Sequence, residues 1–353
     1  MVWAINFPTW LKPEIIPGLP MRWYGLMYVV AFVVAYYLYR RQIRERRFPM
    51  SEDDLWAFFF WGILALMLGA RIFSTLVYDP SDRYWRQPWL VFWPFENGQF
   101  TGLQGMSYHG GVIGGILGFT VYAVVKKYDV REIADMFGAS IPLGYTFGRL
   151  GNFINGELWG RVTTSPLGMI FPTAPRFSAT LDWARETAEA TGVPVPGPEA
   201  MLNLPRHPSQ LYEALFEGVV LWLIIWLLRN RKPFKGFLAG LYIGGYGLIR
   251  FFLEYFREPD AHLGYRIQLG QVVGLRDIAH LHPALSFSTG QILCLGMVVL
   301  ALVWCVVVAR LPGCKPVRRY PGPGELDPGA SAARLVEKDA ARKQRRRLRQ
   351  KLR

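Results

Sequence analysis

The chain has 353 residues, 52% of them hydrophobic and 15% aromatic, with a formal net charge of +14. The apolar residues fall in long blocks, which argues against a large soluble enzyme. Nor does the charge point to nucleic acid, because Lys315 to Arg353 holds 13 basic and 4 acidic residues and so carries nine of the fourteen net charges.

A bilayer core of about 30 Å needs roughly 20 apolar residues of helix. Seven segments meet that, at about 23–39, 55–78, 106–125, 133–150, 209–228, 236–256 and 289–310. The expectation is an all-α polytopic membrane protein with seven transmembrane helices. Lys and Arg are retained in cytoplasmic loops. Here they follow the first helix (Arg40, Arg41, Arg44, Arg46, Arg47), the third (Lys126, Lys127, Arg131), the fifth (Arg229, Arg231, Lys232, Lys235) and the seventh, where the tail begins. The N-terminus is therefore expected outside and the C-terminus in the cytoplasm. Loops at about 79–104, 151–208 and 257–288 then lie on the outer face. The chain divides into an interfacial segment 1–22, a transmembrane catalytic domain 23–313 and a basic tail 314–353.

The first 20 residues carry Pro8, Pro13, Pro17 and Pro20 without a charged region before an apolar core, so no cleavable signal peptide is expected. With Trp3, Phe7 and Trp10, they suit a segment lying at the interface. Arg22-Trp23-Tyr24-Gly25 opens the first helix, where Trp23 and Tyr24 also fit interfacial anchors. Ser51-Glu52-Asp53-Asp54 caps the second helix, and Arg71 near its outer end reads as a snorkelling side chain. The loop after it holds Tyr84, Trp85, Trp89, Phe92, Trp93 and Phe95, which suits the membrane surface and a lipid entrance. In the third helix, Gly110, Gly111, Gly114, Gly115 and Gly118 let neighbouring helices approach closely. His109 lies among them near the outer boundary.

The fourth helix runs from about Asp135 past Pro142 into Gly148-Arg149-Leu150-Gly151-Asn152-Phe153-Ile154-Asn155-Gly156-Glu157. Charged groups at membrane depth are costly, so such a run reads as a functional site. The loop 151–208 is Pro- and Gly-rich, with a short helix expected near 178–190, and suits a small external domain or lid. It re-enters the membrane at His207-Pro208-Ser209-Gln210-Leu211-Tyr212-Glu213. The sixth helix places Tyr246, Arg250 and Glu254 on one face at four-residue intervals. Pro259 ends that segment after Arg257.

If these outer helix ends converge, two arginines face one apolar cavity. Paired guanidinium groups suit a phosphate, since each offers a rigid fork of donors and keeps its charge. Asn152 adds a neutral donor, and Glu157 and Glu254 could orient or balance the arginines. Imidazole is a suitable general base near neutral pH, so His109 is a candidate base or substrate ligand. Cys294, Cys305 and Cys314 lie in or just past the last helix. No nucleophile stands near the charged run, and one would have to arrive on a second substrate.

Four blocks carry a resemblance: the Gly148–Glu157 run, Tyr108-His109-Gly110-Gly111, Arg22-Trp23-Tyr24-Gly25, and Tyr246-Gly247-Leu248-Ile249-Arg250 continuing to Glu254 and Arg257-Glu258-Pro259-Asp260. Together they resemble the bacterial prolipoprotein diacylglyceryl transferases. The resemblance implies a multi-pass enzyme of the bacterial cytoplasmic (inner) membrane with its site toward the outer face. It implies transfer of the sn-1,2-diacylglyceryl group of phosphatidylglycerol to the lipobox cysteine thiol of preprolipoproteins, forming a thioether and releasing glycerol phosphate. That is the first step of lipoprotein maturation. On this reading His109, Arg149 and Arg250 are catalytic, and Tyr24, Asn152, Glu157, Tyr246 and Glu254 bind or position substrate. Neither metal nor cofactor is expected, and no nucleic acid.

Two other classes compete. A retinal protein needs a lysine in the last helix, and Gln291 to Ala309 has none. A lipid or anionic-solute transporter would use the same arginines without chemistry, but no internal repeat or matched pair of broken helices supports it. For the tail, anionic membrane lipid and a solvated segment without a partner both stand.

Overall fold

The computed structural model describes residues 4–16, 21–96, 98–100, 105–258, 265–268 and 286–321. The expectations for Trp3, Pro17, Pro20, Pro259, Asp260, most of the loop 257–288 and the tail from 322 onward lie outside the described residues. The chain is mostly helical. Helix α1 spans Trp23–Arg46. Helix α2 spans Glu52–Phe73 and runs on as a π-helical segment, Ser74–Tyr78. Next come α3 (Tyr108–Val125), α4 (Val130–Gly138), α5 (Ile141–Ile154) and α6 (Asp182–Thr191). Helix α7 begins as Ser209–Glu213, passes through π-helical Ala214–Val220 and ends as Leu221–Leu228. Helices α8 (Phe237–Leu253) and α9 (Thr289–Arg310) follow. Among the described residues the strands are short and pair two by two.

Among the described residues, four helical stretches are long and apolar enough to cross a membrane: Glu52–Tyr78, Tyr108–Val125, Ser209–Leu228 and Thr289–Arg310. Phe237–Leu253 is apolar but shorter. Helix starts follow local chemistry. Ser51 Oγ accepts the N–H of Asp54 at 3.0 Å, with three carboxylates in the first turn of α2. Ser288 and Gln291 close a capping box on α9.

The segment expected as one helix over 133–150 is instead two. Helix α4 stops at Gly138, and α5 restarts beside Pro142, which needs no hydrogen-bond acceptor there. Asp135 of α4 caps α8 inside the protein: its buried carboxylate accepts the N–H groups of Gly236, Leu238 and Ala239 at the start of α8, at 2.8, 2.7 and 3.2 Å. Lys232 Nζ bridges Asp135 and Glu132, at 2.6 Å each, and Glu132 also pairs with Arg46. These groups lie in one buried cluster joining α1, α4 and α8. The start of the tail packs back on it, with Arg46 Nη2 donating to the Val317 carbonyl at 2.9 Å and Tyr320 N–H to the Arg46 carbonyl at 2.8 Å.

Glycines set the contact between α2 and α3, as their spacing implies. A Cβ on Gly114 would stand 2.3 Å from the Ala65 carbonyl oxygen, and one on Gly110 2.4 Å from that of Gly69. Both obstacles are backbone, so the helices would have to separate. Overpacking of this kind costs roughly 1–3 kcal/mol. Gly114→Ala is expected to lower the thermal midpoint of the purified protein in detergent, and an unchanged midpoint would refute this account of the contact. The same device brings other helices to α5: Gly144 meets the Ala31 carbonyl oxygen of α1 and Gly151 meets Tyr24, while Gly218 of α7 abuts Thr146. Residues 160–206 carry a small apolar core of their own, built on Ala179, Ala184, Ala188, Leu202 and Leu204.

Arg71 does not snorkel. It is 5% exposed, with Nε donating to the Val91 carbonyl at 2.6 Å and Nη1 to that of Gly105 at 3.3 Å. Its guanidinium also lies 5.8 Å from the Tyr84 ring. A planar fork that can meet several carbonyls ties down the aromatic loop, which leaves Trp85, Trp89 and Trp93 exposed.

Candidate active site

The charged run ends α5, and the close approach at Gly218 places the last turns of that helix against α7. Arg149 is fixed at one edge of its guanidinium. Its Nε donates to the Tyr145 hydroxyl at 2.6 Å and stands 2.9 Å from Glu213 Oε2, and its plane lies 4.8 Å from the Tyr145 ring centre. The terminal nitrogens of Arg149 make no hydrogen bond among the described residues, although the side chain is only 16% exposed.

Arg250 of α8 meets the other oxygen of the same carboxylate, Nη1 standing 2.7 Å from Glu213 Oε1. Nη1 is also 3.5 Å from Glu217 Oε1, and Nη2 is 3.2 Å from Glu254 Oε2. Arg257 reaches Glu213 at 4.0 Å. Glu217 is fully buried and accepts the Tyr145 hydroxyl proton. Glu254 Oε1 accepts from Ser288 Oγ at 3.1 Å. Tyr246 packs edge-on to Tyr145, ring centres 5.8 Å apart. Arg149, Arg250, Tyr246 and Glu254 thus come together, as their placement on helix ends implies.

Asn152 and Glu157 form a neighbouring unit. Asn152 Nδ2 donates to Glu157 Oε1 at 2.9 Å, and Asn155 Nδ2 donates to the same oxygen at 3.2 Å. Glu157 therefore meets asparagines rather than the arginines it was expected to orient. Gly156, at φ +65°, supplies the left-handed turn that ends α5. The start of α7 holds this turn: Ser209 Oγ donates to the Leu158 carbonyl at 2.9 Å and Gln210 Nε2 to that of Glu157 at 2.6 Å. Tyr24 packs on Gly151, and its hydroxyl lies 3.0 Å from that of Tyr28.

His109 stands on the first turn of α3, capped by Ser107 Oγ on the Gly110 N–H at 3.1 Å. The residue is exposed, and its Nδ1 lies 2.8 Å from the Tyr78 hydroxyl at the end of the π-helical segment of α2. It shares no hydrogen bond, ion pair or ring contact with the arginine cluster among the described residues.

Sequence reasoning missed Tyr145, Glu213, Glu217 and Tyr78. The signal for the two glutamates was present, since Glu213 and Glu217 are carboxylates four residues apart in an apolar helix. Tyr145 and Tyr78 gave none, because tyrosine in a membrane helix is unremarkable until its hydroxyl has a partner.

Helices that cross a membrane and converge on buried, mutually paired arginines and glutamates define a membrane protein with a polar site at helix ends. Comparison with known proteins makes this specific. The profile of the family described as "Prolipoprotein diacylglyceryl transferase" matches residues 13–307. The phosphatidylglycerol–prolipoprotein diacylglyceryl transferase of Treponema denticola is 53% identical over 87% of this chain and 95% of its own length. That of Treponema pallidum is 49% identical over 85% and 93%, and that of Chlorobaculum tepidum 40% identical over 86% and 92%. The chain belongs to the prolipoprotein diacylglyceryl transferase family, and it is a multi-pass membrane transferase.

Proposed function

We propose that this chain transfers the sn-1,2-diacylglyceryl group of phosphatidylglycerol to the lipobox cysteine thiol of preprolipoproteins, at the outer face of a bacterial inner membrane. The reading takes seven spans, with the N-terminus outside, the C-terminus cytoplasmic and residues 151–208 as an external head. The observation that carries it is Arg149, a largely buried guanidinium hydrogen-bonded at Nε to Tyr145 and ion-paired there with Glu213, with no hydrogen bond at its terminal donors among the described residues. Those donors are placed to meet a phosphodiester in a low-dielectric site, where a guanidinium fork gains most.

In this reaction the thiolate sulfur attacks the glycerol carbon bonded to the phosphate oxygen. The S–C bond forms, the C–O bond breaks, and its electron pair leaves on glycerol phosphate. Arg149 and Arg250 stabilise that developing charge, as preorganised donors do. His109 takes the thiol proton. With Nδ1 occupied by Tyr78, the accepting atom is Nε2, which requires Nδ1–H to donate to the Tyr78 oxygen. Tyr24, Asn152, Glu157, Tyr246 and Glu254 shape the site around the lipid and the arginines.

Purified protein mixed with phosphatidylglycerol and a lipobox peptide is expected to give a peptide heavier by one diacylglyceryl group in mass spectrometry. Absence of that thioether in every lipid mixture would overturn the proposal.

A further inference from the structure

We infer that Glu213 is the positioning residue of the site: its single carboxylate is the strut that sets the distance between the two phosphate-binding arginines. The inference rests on the reading of Arg149 and Arg250 proposed above and adds what holds them.

Arg149 and Arg250 come from different helices, α5 and α8, and two like charges at close range repel. One side chain touches both. Glu213 Oε2 lies 2.9 Å from Arg149 Nε, and Oε1 lies 2.7 Å from Arg250 Nη1. Its side chain is 3% exposed, so water screens neither contact. A carboxylate has two oxygens at a fixed separation, and using one for each arginine converts that separation into the spacing of the guanidinium groups. The contact to Arg149 is made at Nε, and its terminal nitrogens make no hydrogen bond among the described residues. Glu213 therefore holds the arginine without spending the donors that a phosphate needs.

The backbone supports this placement. Glu213 is the last residue before the π-helical segment Ala214–Val220. Such segments are rare and concentrate at functional sites. Here Thr146 Oγ1 donates to the Ala214 carbonyl at 3.3 Å, and Gly218 admits α5 so closely that a Cβ would stand 2.0 Å from Thr146 Oγ1. The altered register also brings Glu217 in, where it accepts from Tyr145 and stands beside Arg250. Tyr145 in turn accepts from Arg149 Nε. The two arginines are thus joined twice, directly through Glu213 and indirectly through Tyr145 and Glu217.

The test uses the full-length protein in detergent with phosphatidylglycerol and a lipobox peptide, rates being expressed per folded molecule from size-exclusion chromatography. Misplacing a reacting group by about 1 Å can cost about 100-fold. Glu213→Gln is expected to lower kcat by about that factor, with less change in the KM for phosphatidylglycerol. Glu213→Asp keeps the charge but is one methylene shorter, and should lose about tenfold. It serves as the second variant where Glu213→Gln does not fold. Arg149→Gln and the double variant Glu213→Gln/Arg149→Gln complete a cycle, and a residue acting through Arg149 should add little once Arg149 is gone. Additive losses, or a wild-type kcat in folded Glu213→Gln or Glu213→Asp, would overturn the strut. A wild-type rate in Arg149→Gln would instead overturn the reading of the arginines on which it rests.

Discussion

Arg149→Ala is expected to purify as a folded monodisperse protein and to transfer diacylglyceryl groups about 10²- to 10³-fold more slowly than wild type, the usual loss when one preorganised donor to a developing anion is removed. The structure separates this from the loss at Arg250. When Arg149 is truncated, Glu213 keeps Arg250 at 2.7 Å, so the buried carboxylate still has a partner. When Arg250 is truncated, Glu213, Glu217 and Glu254 all lose a cation within 3.5 Å. Removing one partner from a buried pair costs about 3–5 kcal/mol, a large part of a typical 5–15 kcal/mol total. Arg250→Ala should therefore be inactive and also poorly folded. Arg250→Lys, which keeps a charge but not the fork, should fold and remain slow. Rates by mass spectrometry and thermal midpoints in detergent check both halves. Equal midpoints for Arg149→Ala and Arg250→Ala would mean that the carboxylate cluster does not depend on Arg250.

The second large effect is expected at His109. A positioned base contributes about 10²- to 10⁴-fold, so His109→Gln should lower the rate strongly near neutral pH. The loss should shrink as pH rises toward the ordinary thiol pKa of about 8.5, where the peptide thiol ionises unaided. Tyr78→Phe removes the group that orders Nδ1 and should give a smaller loss of the same kind. A pH–rate profile for the three proteins decides the role. If His109→Gln is equally slow at every pH, His109 holds substrate rather than a proton.

Much of this protein could be read from one dimension. Long apolar blocks separated by basic loops indicate a membrane chain because hydrocarbon accepts no unpaired charge, and that constraint acts on each segment by itself. The Gly148–Glu157 run stood out for the same reason, and the glycines of α3 announced a close helix contact borne out at Ala65 and Gly69. The helix near 178–190 is present as Asp182–Thr191. The break at residues 139–140 had its local signal in Gly138 and Pro142, whereas the cap that Asp135 gives the start of α8 spans a hundred residues of sequence and left none. Arg71 was misread for a similar reason, since its carbonyl partners at Val91 and Gly105 lie on a loop with no pattern of its own.

For the site, sequence by itself determined which charges had to be explained: Arg149, Arg250, Glu157 and Glu254 are costly where they stand. Their pairing was left to the tertiary structure. Glu213 faces both arginines because α7 leaves the α-helical register just after it and meets α5 at Gly218, whereas Glu157 turns back to Asn152 at the left-handed Gly156. Burial makes a charge conspicuous in any membrane sequence, but a carboxylate's partner is set by distances of about 3 Å between helices, and those exist only once the helices have packed.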